Sequence, residues 1–241
     1  MTSPDALTDA VTSPPGPLPA AVLWDMDGTL VDTEPYWISA EHAIVEEAGG
    51  LWSDEYAHQL VGNDLMVSAQ FIRENSPVEL DPLQIIEELL QRVIAQVRDH
   101  VPWRPGAVEL LTALGEQGVP NALVTMSWRS LADAVVAALP EGTFATVITG
   151  DEVEHGKPHP EPYLAAADAL GVAVADCVAI EDSPTGVRSA VAAGVPTLAV
   201  PHVVPVPLTV GAVQVPSLLG LAPIDLRLLF DGARQSSAGT T

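Results

Sequence analysis

The stretch VLWDMDGTLVDTEP, residues 22–35, begins like a buried strand and then delivers several carboxylates to one place. Asp25 and Asp27 follow directly after the apolar residues that end at Trp24. Two like charges this close repel each other, and each costs free energy when it is removed from water. The sequence therefore predicts a positive group beside Asp25 and Asp27, and a bound cation is the simplest one.

A change of pattern along the chain predicts the architecture. Residues 34–101 carry apolar side chains at three- and four-residue spacing, which is typical of a small helical bundle. From residue 102 onward, short apolar strands alternate with amphipathic helices, which predicts an α/β fold with a parallel sheet. We expect a Rossmann-like core at residues 21–33 and 102–225, with the all-helical block 34–101 inserted as a cap. A mobile N-terminal arm, residues 1–20, and a C-terminal helix or tail, residues 226–241, complete the predicted organisation.

Polar residues with useful chemistry fall where the predicted strands end. They are Asp25 and Asp27 after the first strand, Thr125 after the second, Lys157 beyond the third, and Glu181 and Asp182 at the end of the fourth. Ligands of open parallel sheets bind outside the carboxyl ends of the strands. We therefore expect all six residues to lie at one edge of the sheet.

Composition and charge exclude several kinds of partner. The chain has 32 acidic and 9 basic residues, a formal charge of -23, so its field repels nucleic acid and anionic membrane surfaces. Residues 195–224 lack charge, but six prolines interrupt them and prevent a continuous membrane-spanning helix. Cys177 is the single cysteine, which excludes an intramolecular disulfide and a cysteine-rich zinc site. We expect a cytoplasmic protein, monomeric, with neither a nucleic acid nor a membrane partner.

The chemistry of this edge points to an anionic ligand held through a cation. Carboxylates without thiolates or a histidine pair select a hard cation, most simply Mg²⁺. An isolated Asp-Gly would equally fit a hairpin turn, whereas an EF-hand loop is excluded because Gly28 stands fourth from Asp25 rather than sixth. Lys157 is the only lysine, and Thr125 could serve either as a ligand or as a cap of the following helix. A metal ion, a lysine, a hydroxyl and the amides of a helix start together describe a phosphate cradle.

Four ordered motifs carry a resemblance to a known family. DMDGTL, a threonine at the end of the second core strand, GKPHPEPY and EDSPTG resemble the motifs of the haloacid dehalogenase-like superfamily. The resemblance extends over residues 21 to 200 and is to the phosphatase and β-phosphoglucomutase-like branch with a helical cap of the C1 type. It implies a phosphoryl-transfer enzyme that uses Mg²⁺ and acts on a small-molecule phosphate ester.

The resemblance also implies a role for each matching residue. Asp25 matches the nucleophile that forms an aspartyl-phosphate and binds the metal. Asp27 matches the general acid and base, with its backbone carbonyl as a further metal ligand. The remaining matches are Thr125, Met126 and Lys157 as phosphate binders, Asp182 as a metal carboxylate, and Glu181 as a residue that orients the site or binds the metal. Met126 departs from the family, which often has a small polar residue there, so its side chain is expected to narrow the site.

Three functions stay open at this point, and a hydrolase leads. Asp27 argues against a dehalogenase, which has no alkoxide to protonate. A phosphomutase must hold a second phosphate, yet the cap offers only Arg73, Arg92 and Arg98 as permanent cations. A sugar phosphate phosphatase is therefore expected, with a phosphomutase and a non-catalytic metal-binding regulator as alternatives. Asn63 and Asp64 are expected either to bind substrate hydroxyls or to cap the next helix.

Overall fold

The core of the protein is a six-stranded sheet in which every neighbouring pair is parallel. The computed structural model describes residues 18–60 and 64–226. The strands are β1 (Ala21–Trp24), β2 (Asn121–Val124), β3 (Thr146–Ile148), β4 (Cys177–Glu181), β5 (Thr197–Ala199) and β6 (Ala212–Gln214). Their order in the sheet is β3-β2-β1-β4-β5-β6. The predicted parallel α/β core is confirmed.

Helices divide into an inserted group and a group that connects the strands. The inserted helices between β1 and β2 are α1 (Glu34–Glu47), α2 (Asp54–Leu60), α3 (Leu65–Asn75) and α4 (Pro82–Asp99). The later helices are α5 (Ala107–Glu116), α6 (Arg129–Val136), α7 (Glu161–Leu170) and α8 (Pro184–Ala192), with a short 3₁₀ turn at Val174–Asp176. We call α1–α4 the helical insert. It joins the core at the end of β1, directly after the acidic motif.

The central strands are buried on both faces, as their apolar sequences require. All four residues of β1 and of β2, and all five of β4, are buried. A parallel strand covered on both faces must be apolar throughout, because neither face meets water. The polar exception in β2 is Asn121, whose side-chain oxygen accepts a 2.9 Å hydrogen bond from Trp24 Nε1. That bond satisfies two buried polar groups and fixes β1 beside β2.

Helix α4 links the insert to the core. Asp81, Pro82 and Gln84 predict a capped helix start. Pro82 opens the helix, and Gln84 Oε1 accepts a 3.0 Å hydrogen bond from the backbone N–H of Asp81. Its apolar stripe packs against α1, α3 and the core helix α6. Helical spacing predicts a buried stripe formed by Ile85, Ile86, Leu89, Leu90, Val93, Ile94 and Val97. All of these residues are buried except Ile94, which is partly buried.

The last strand of the sheet lies in a segment that is rich in proline and lacks charge. The prolines of residues 201–224 predict irregular chain after the fifth strand, but Ala212–Gln214 form β6 and pair in parallel with β5. The prolines of this segment lie outside the three residues of β6, so they do not interrupt its ladder.

Within the described ranges, no helix combines the length and the apolar character that crossing a membrane requires. Most of the predicted arm and tail, residues 1–17 and 227–241, lie outside the described residues, as does Asn63.

Candidate active site

Three neighbouring strands end at one place and carry acidic or hydroxyl side chains there. β1 lies between β2 and β4; Asp25 follows β1, Thr125 follows β2, and Glu181 ends β4. Parallel pairing sets Trp24 opposite Ile180, so the residues after them emerge side by side. The edge predicted from the sequence is therefore formed by strands that are adjacent in space although about 100 and 150 residues apart in the chain.

Lys157 is buried between two carboxylates at this edge. Its Nζ donates hydrogen bonds to Asp25 Oδ1 at 2.7 Å, Glu181 Oε1 at 2.6 Å and the backbone carbonyl of Val124 at 2.8 Å. The Tyr163 hydroxyl donates a further 2.7 Å bond to the same oxygen of Glu181. Burial alone would lower the pKa of Lys157, but the two carboxylates outweigh it and hold that pKa above its ordinary value. The ammonium group is thus kept charged and fixed beside Asp25.

Hydroxyl groups hold Asp27 in one orientation. Its Oδ1 accepts a 2.5 Å hydrogen bond from Thr33 Oγ1, and its Oδ2 accepts bonds from Ser127 Oγ at 2.7 Å and Thr125 Oγ1 at 3.3 Å. The backbone N–H of Ser127 donates to Thr125 Oγ1 at 3.0 Å, so Thr125 closes a turn and does not cap α6, whose N-cap position is Trp128. Asp27 is therefore linked to the ends of both β1 and β2.

Two glycines allow the carboxylates to approach the site. A Cβ at Gly28 would lie 2.0 Å from Asp182 Oδ2, and the φ of Gly28 is +90°, in the region that glycine adopts without strain. A Cβ at Gly186 would lie 1.8 Å from Glu181 Oε1. Any larger residue at Gly28 or Gly186 would displace a carboxylate. The glycines of DMDGTL and EDSPTG are thus explained by close contact.

The carboxylates of Asp25, Glu181 and Asp182 form a group suited to a dication. Each offers an oxygen within 4.8 Å of the others, and Asp25 Oδ2 is buried without a hydrogen-bond partner among the described residues. Burial, then the charge of Glu181, raises the pKa of Asp25 to about 7. Burial, then Asp25 and Glu181, raises the pKa of Asp182 to about 9. A cation at this point would stabilise the ionised forms of Asp25 and Asp182 and so oppose the rise in both pKa values. A set of donors that contains only oxygen fits Mg²⁺.

A cavity of about 340 Å³ opens over these residues and is lined on its other side by residues of the helical insert. Among its lining residues, α1 contributes Glu34, Trp37 and Glu41, and α3 contributes Ser68. Burial, followed by the charges of Asp27 and Asp32, raises the pKa of Glu34 to about 7. Burial raises the pKa of Glu41 to about 8. The hydrogen bond from Trp52 lowers this pKa, and the charge of Glu34 raises it further. Both carboxyls therefore carry a proton for much of the time near neutral pH.

The structure places the other expected residues at or near this cavity. Met126 lines it, and its sulfur accepts a 3.1 Å hydrogen bond from the backbone N–H of Lys157. Asp64 also lines the cavity, and its carboxylate caps α3 by accepting a 2.8 Å bond from the backbone N–H of Met66. Asn63 lies outside the described residues. Arg92 of the insert pairs with Glu47 through two hydrogen bonds and is not among the described residues that line the cavity.

Sequence reasoning missed several residues that support the site. They are Thr33 and Ser127 beside Asp27, Tyr163 beside Glu181, and Glu34, Trp37 and Glu41 on α1. Glu34, Trp37 and Glu41 are spaced by three and four residues, so they share one face of a helix. That spacing was a usable signal, because a helix face with two carboxyls cannot be an ordinary buried stripe. Tyr163 ends the motif GKPHPEPY, but the motif does not indicate its partner, because Tyr163 meets Glu181 only in the folded chain.

The chain is similar in sequence and in fold to several known proteins. A sequence model described as haloacid dehalogenase-like hydrolase matches residues 22–200. The chain is 33% identical over 198 residues to the plasmid protein CbbY of Cupriavidus necator, covering 75% of this chain and 78% of CbbY. It is 35% identical over 185 residues to hexitol phosphatase A of Escherichia coli, and the match covers 74% of this chain and 81% of that phosphatase. Among solved structures, a mutant of CbbY from Rhodobacter sphaeroides in complex with xylulose-(1,5)bisphosphate matches this chain with a TM-score of 0.76 and 26% identity. The match covers 85% of this chain and 96% of that CbbY chain.

Proposed function

The chain belongs to the haloacid dehalogenase-like hydrolase family, and from that premise we propose that it is a Mg²⁺-dependent phosphatase of small sugar or polyol monophosphates. The observation that carries the proposal is the meeting of Asp25, Asp182 and Lys157 at one end of the cavity. Two carboxylates and an ammonium group there can bind a phosphate ester only if a dication completes the positive charge. Relatives of 33 to 35% identity include a hexitol phosphatase, which supports the same class.

Asp25 is the proposed nucleophile. Its carboxylate is held by Lys157 through Oδ1, which leaves Oδ2 without a partner among the described residues. In the first step, a bond forms between an oxygen of Asp25 and phosphorus while the bond from phosphorus to the leaving oxygen breaks. The product of this step is an aspartyl-phosphate and an alcohol. Lys157 offsets charge beside the transferred group and keeps Asp25 from turning away.

Asp27 is the proposed general acid and base. It donates a proton to the leaving oxygen in the first step and takes a proton from water in the second. That water attacks phosphorus, so inorganic phosphate leaves and the Asp25 carboxylate is restored. The hydroxyls of Thr33 and Ser127 fix the direction of Asp27, which such a proton transfer requires.

Asp25 and Asp182, with the Asp27 backbone carbonyl, are the proposed holders of Mg²⁺. When bound, Mg²⁺ supplies positive charge to the oxygens of the transferred phosphoryl group. Glu181 is assigned a positioning role instead, because its oxygens already accept bonds from Lys157, Tyr163 and Ser183. Thr125 and the Met126 backbone are the proposed phosphate contacts on the β2 side.

The lining of the cavity supports a monophosphate rather than a bisphosphate. On the insert side it carries the carboxyls of Glu34 and Glu41, and Lys157 is the one lysine or arginine among the described lining residues. A second phosphate needs its own cationic partners, which a phosphomutase must supply while its sugar turns over. Carboxyls with raised pKa values can instead donate hydrogen bonds to substrate hydroxyls. The helical insert, residues 34–101, is thus proposed to act as a cap that selects a hydroxyl-rich leaving group.

A substrate panel tests this proposal. Purified protein with Mg²⁺ is assayed for phosphate release from hexitol and hexose monophosphates and from sugar bisphosphates. We expect kcat/KM for the best monophosphate to exceed that for any bisphosphate by about 100-fold or more, because an unpaired second phosphate must be desolvated among carboxyls. EDTA should stop the reaction, and added Mg²⁺ should restore it.

Two results would contradict the proposal. Conversion of a hexose 1-phosphate to its 6-phosphate isomer, with trace bisphosphate and little free phosphate, would identify a mutase. Absence of Mg²⁺-dependent phosphate release across the whole panel would favour a non-catalytic metal-binding protein.

A further inference from the structure

A second cluster of metal-ligating side chains lies outside the cavity lining. His155, His159 and Glu161 stand in the segment that leads from β3 into α7, and each offers a ligand atom within 4.8 Å of the others. None of the three is among the described residues that line the cavity. The cluster contains two imidazoles, whereas the active-site group contains only carboxylates. An ion held there would therefore meet nitrogen as well as oxygen ligands.

Both imidazoles approach the same carboxylate oxygen. His155 Nδ1 lies 3.0 Å and His159 Nδ1 3.8 Å from Glu161 Oε2, and the ring centroids are 4.6 Å apart. A tetrahedral Zn²⁺ with bonds of about 2.0–2.1 Å holds its ligand atoms about 3.3 Å apart. The two nitrogen-to-oxygen separations bracket that distance, and all three ligand atoms lie within 4.8 Å of one another. Metal binding through His159 Nδ1 would break the 3.3 Å hydrogen bond that this nitrogen accepts from the backbone N–H of Glu161.

Glu161 is already fixed and ionised. Its two oxygens accept hydrogen bonds from the backbone N–H of Glu154 at 2.7 Å and of His155 at 3.0 Å. These bonds, with His155, hold the pKa of Glu161 below its ordinary value. The histidine side chains are 57% and 50% exposed, so an ion can reach them from solvent. The ion pair with Glu161 needs only one histidine, and His159 places a second imidazole nitrogen near the same oxygen while it accepts the backbone N–H bond of Glu161.

We propose that His155, His159 and Glu161 form a second metal site, one that binds a transition-metal dication such as Zn²⁺. Two nitrogen ligands favour Zn²⁺, Cu²⁺ or Ni²⁺ over Mg²⁺, which prefers oxygen. Three protein ligands leave the fourth tetrahedral position to water. The site ties together the two ends of the segment that carries Lys157. Its existence does not depend on the proposed phosphatase activity.

Zinc titration of the Mg²⁺-saturated full chain tests the site. Calorimetry counts the zinc ions bound by the wild type, by the double variant His155→Gln/His159→Gln and by each single variant. We expect the wild type to bind one more Zn²⁺ than the double variant. Each single substitution removes a direct ligand and should weaken zinc binding at this site by about 100-fold or more, because loss of an outer-shell partner alone costs about 10- to 100-fold.

A matched control and a second readout keep the test specific. His58→Gln removes an exposed histidine of α2 and should leave the zinc count unchanged. In proton NMR, Zn²⁺ should shift the ring signals of His155 and His159 while those of His58 stay in place. Equal zinc counts and affinities in wild type and double variant, or no zinc binding at all, would overturn the proposal. Zinc that replaces Mg²⁺ at the carboxylates would appear equally in both proteins, so it cancels in the difference between their zinc counts.

Discussion

At the scale of single residues, the site depends on charged side chains from distant parts of the chain: Lys157 contacts Asp25, and Asp25 lies beside Asp182. The sequence places Asp25, Lys157 and Asp182 at strand ends, and the folded chain brings them to one edge. Their partners could not be predicted, because Ser127 and Tyr163 reach Asp27 and Glu181 through side-chain packing. Such contacts depend on the relative position of elements, which local patterns do not contain.

Glu41 gives a pH-dependent prediction at this scale. Its pKa is about 8 in the folded protein against an ordinary 4.5, so the folded state favours the protonated form. That contribution to stability is full below pH 4.5 and is lost as pH rises through 8. Glu41→Gln removes the titration and keeps an acceptor for Trp52 Nε1. We expect this variant to gain about 1 to 3 kcal/mol relative to wild type between pH 5.5 and 8.5.

Urea unfolding at the two pH values measures the effect. Glu87→Gln, at an exposed position of α4, is the matched control and should show no such pH-dependent difference. If Glu41→Gln and wild type lose stability in parallel with pH, then Glu41 does not carry the proposed proton.

At the scale of elements, local signals located most helices and strands but missed one. The cap of α4 and the apolar strands β1, β2 and β4 follow directly from composition and spacing. β6 is three residues long and lies in a proline-rich, uncharged segment, so it resembles irregular chain. It becomes a strand because β5 offers it a free edge, which is a tertiary cause.

Asp64 provides the prediction that belongs to this scale. Its carboxylate accepts bonds from the backbone N–H groups of Met66 and Val67 at the start of α3. Asp64→Ala should lower the free energy of unfolding by about 1 kcal/mol, whereas Asp64→Asn keeps a capping oxygen and should stay close to wild type. Chemical denaturation of the three proteins checks this. Equal midpoints for Asp64→Ala and wild type would mean that the capping bond adds no stability.

At the scale of the whole molecule, strand order creates the site. The alternating pattern predicts a parallel sheet but not which strands are neighbours, and only the order β2-β1-β4 brings Asp25 between Thr125 and Glu181. The family resemblance implied the role of each residue at this edge, which the pattern of strands does not contain. The inserted helices then close the cavity with carboxyls rather than cations, which favours a monophosphate. The cytoplasmic location and monomeric state stay predictions.

The most direct test of the account is whether phosphate becomes bound to Asp25 during turnover. The protein is mixed with Mg²⁺ and its best monophosphate substrate, quenched in acid within one turnover, digested and mapped by mass spectrometry. We predict a phosphoryl group on the peptide that contains Asp25, and neither phosphopeptide nor steady-state phosphate release in a folded Asp25→Asn variant. Turnover retained by Asp25→Asn, or phosphate trapped on another residue, would contradict the account.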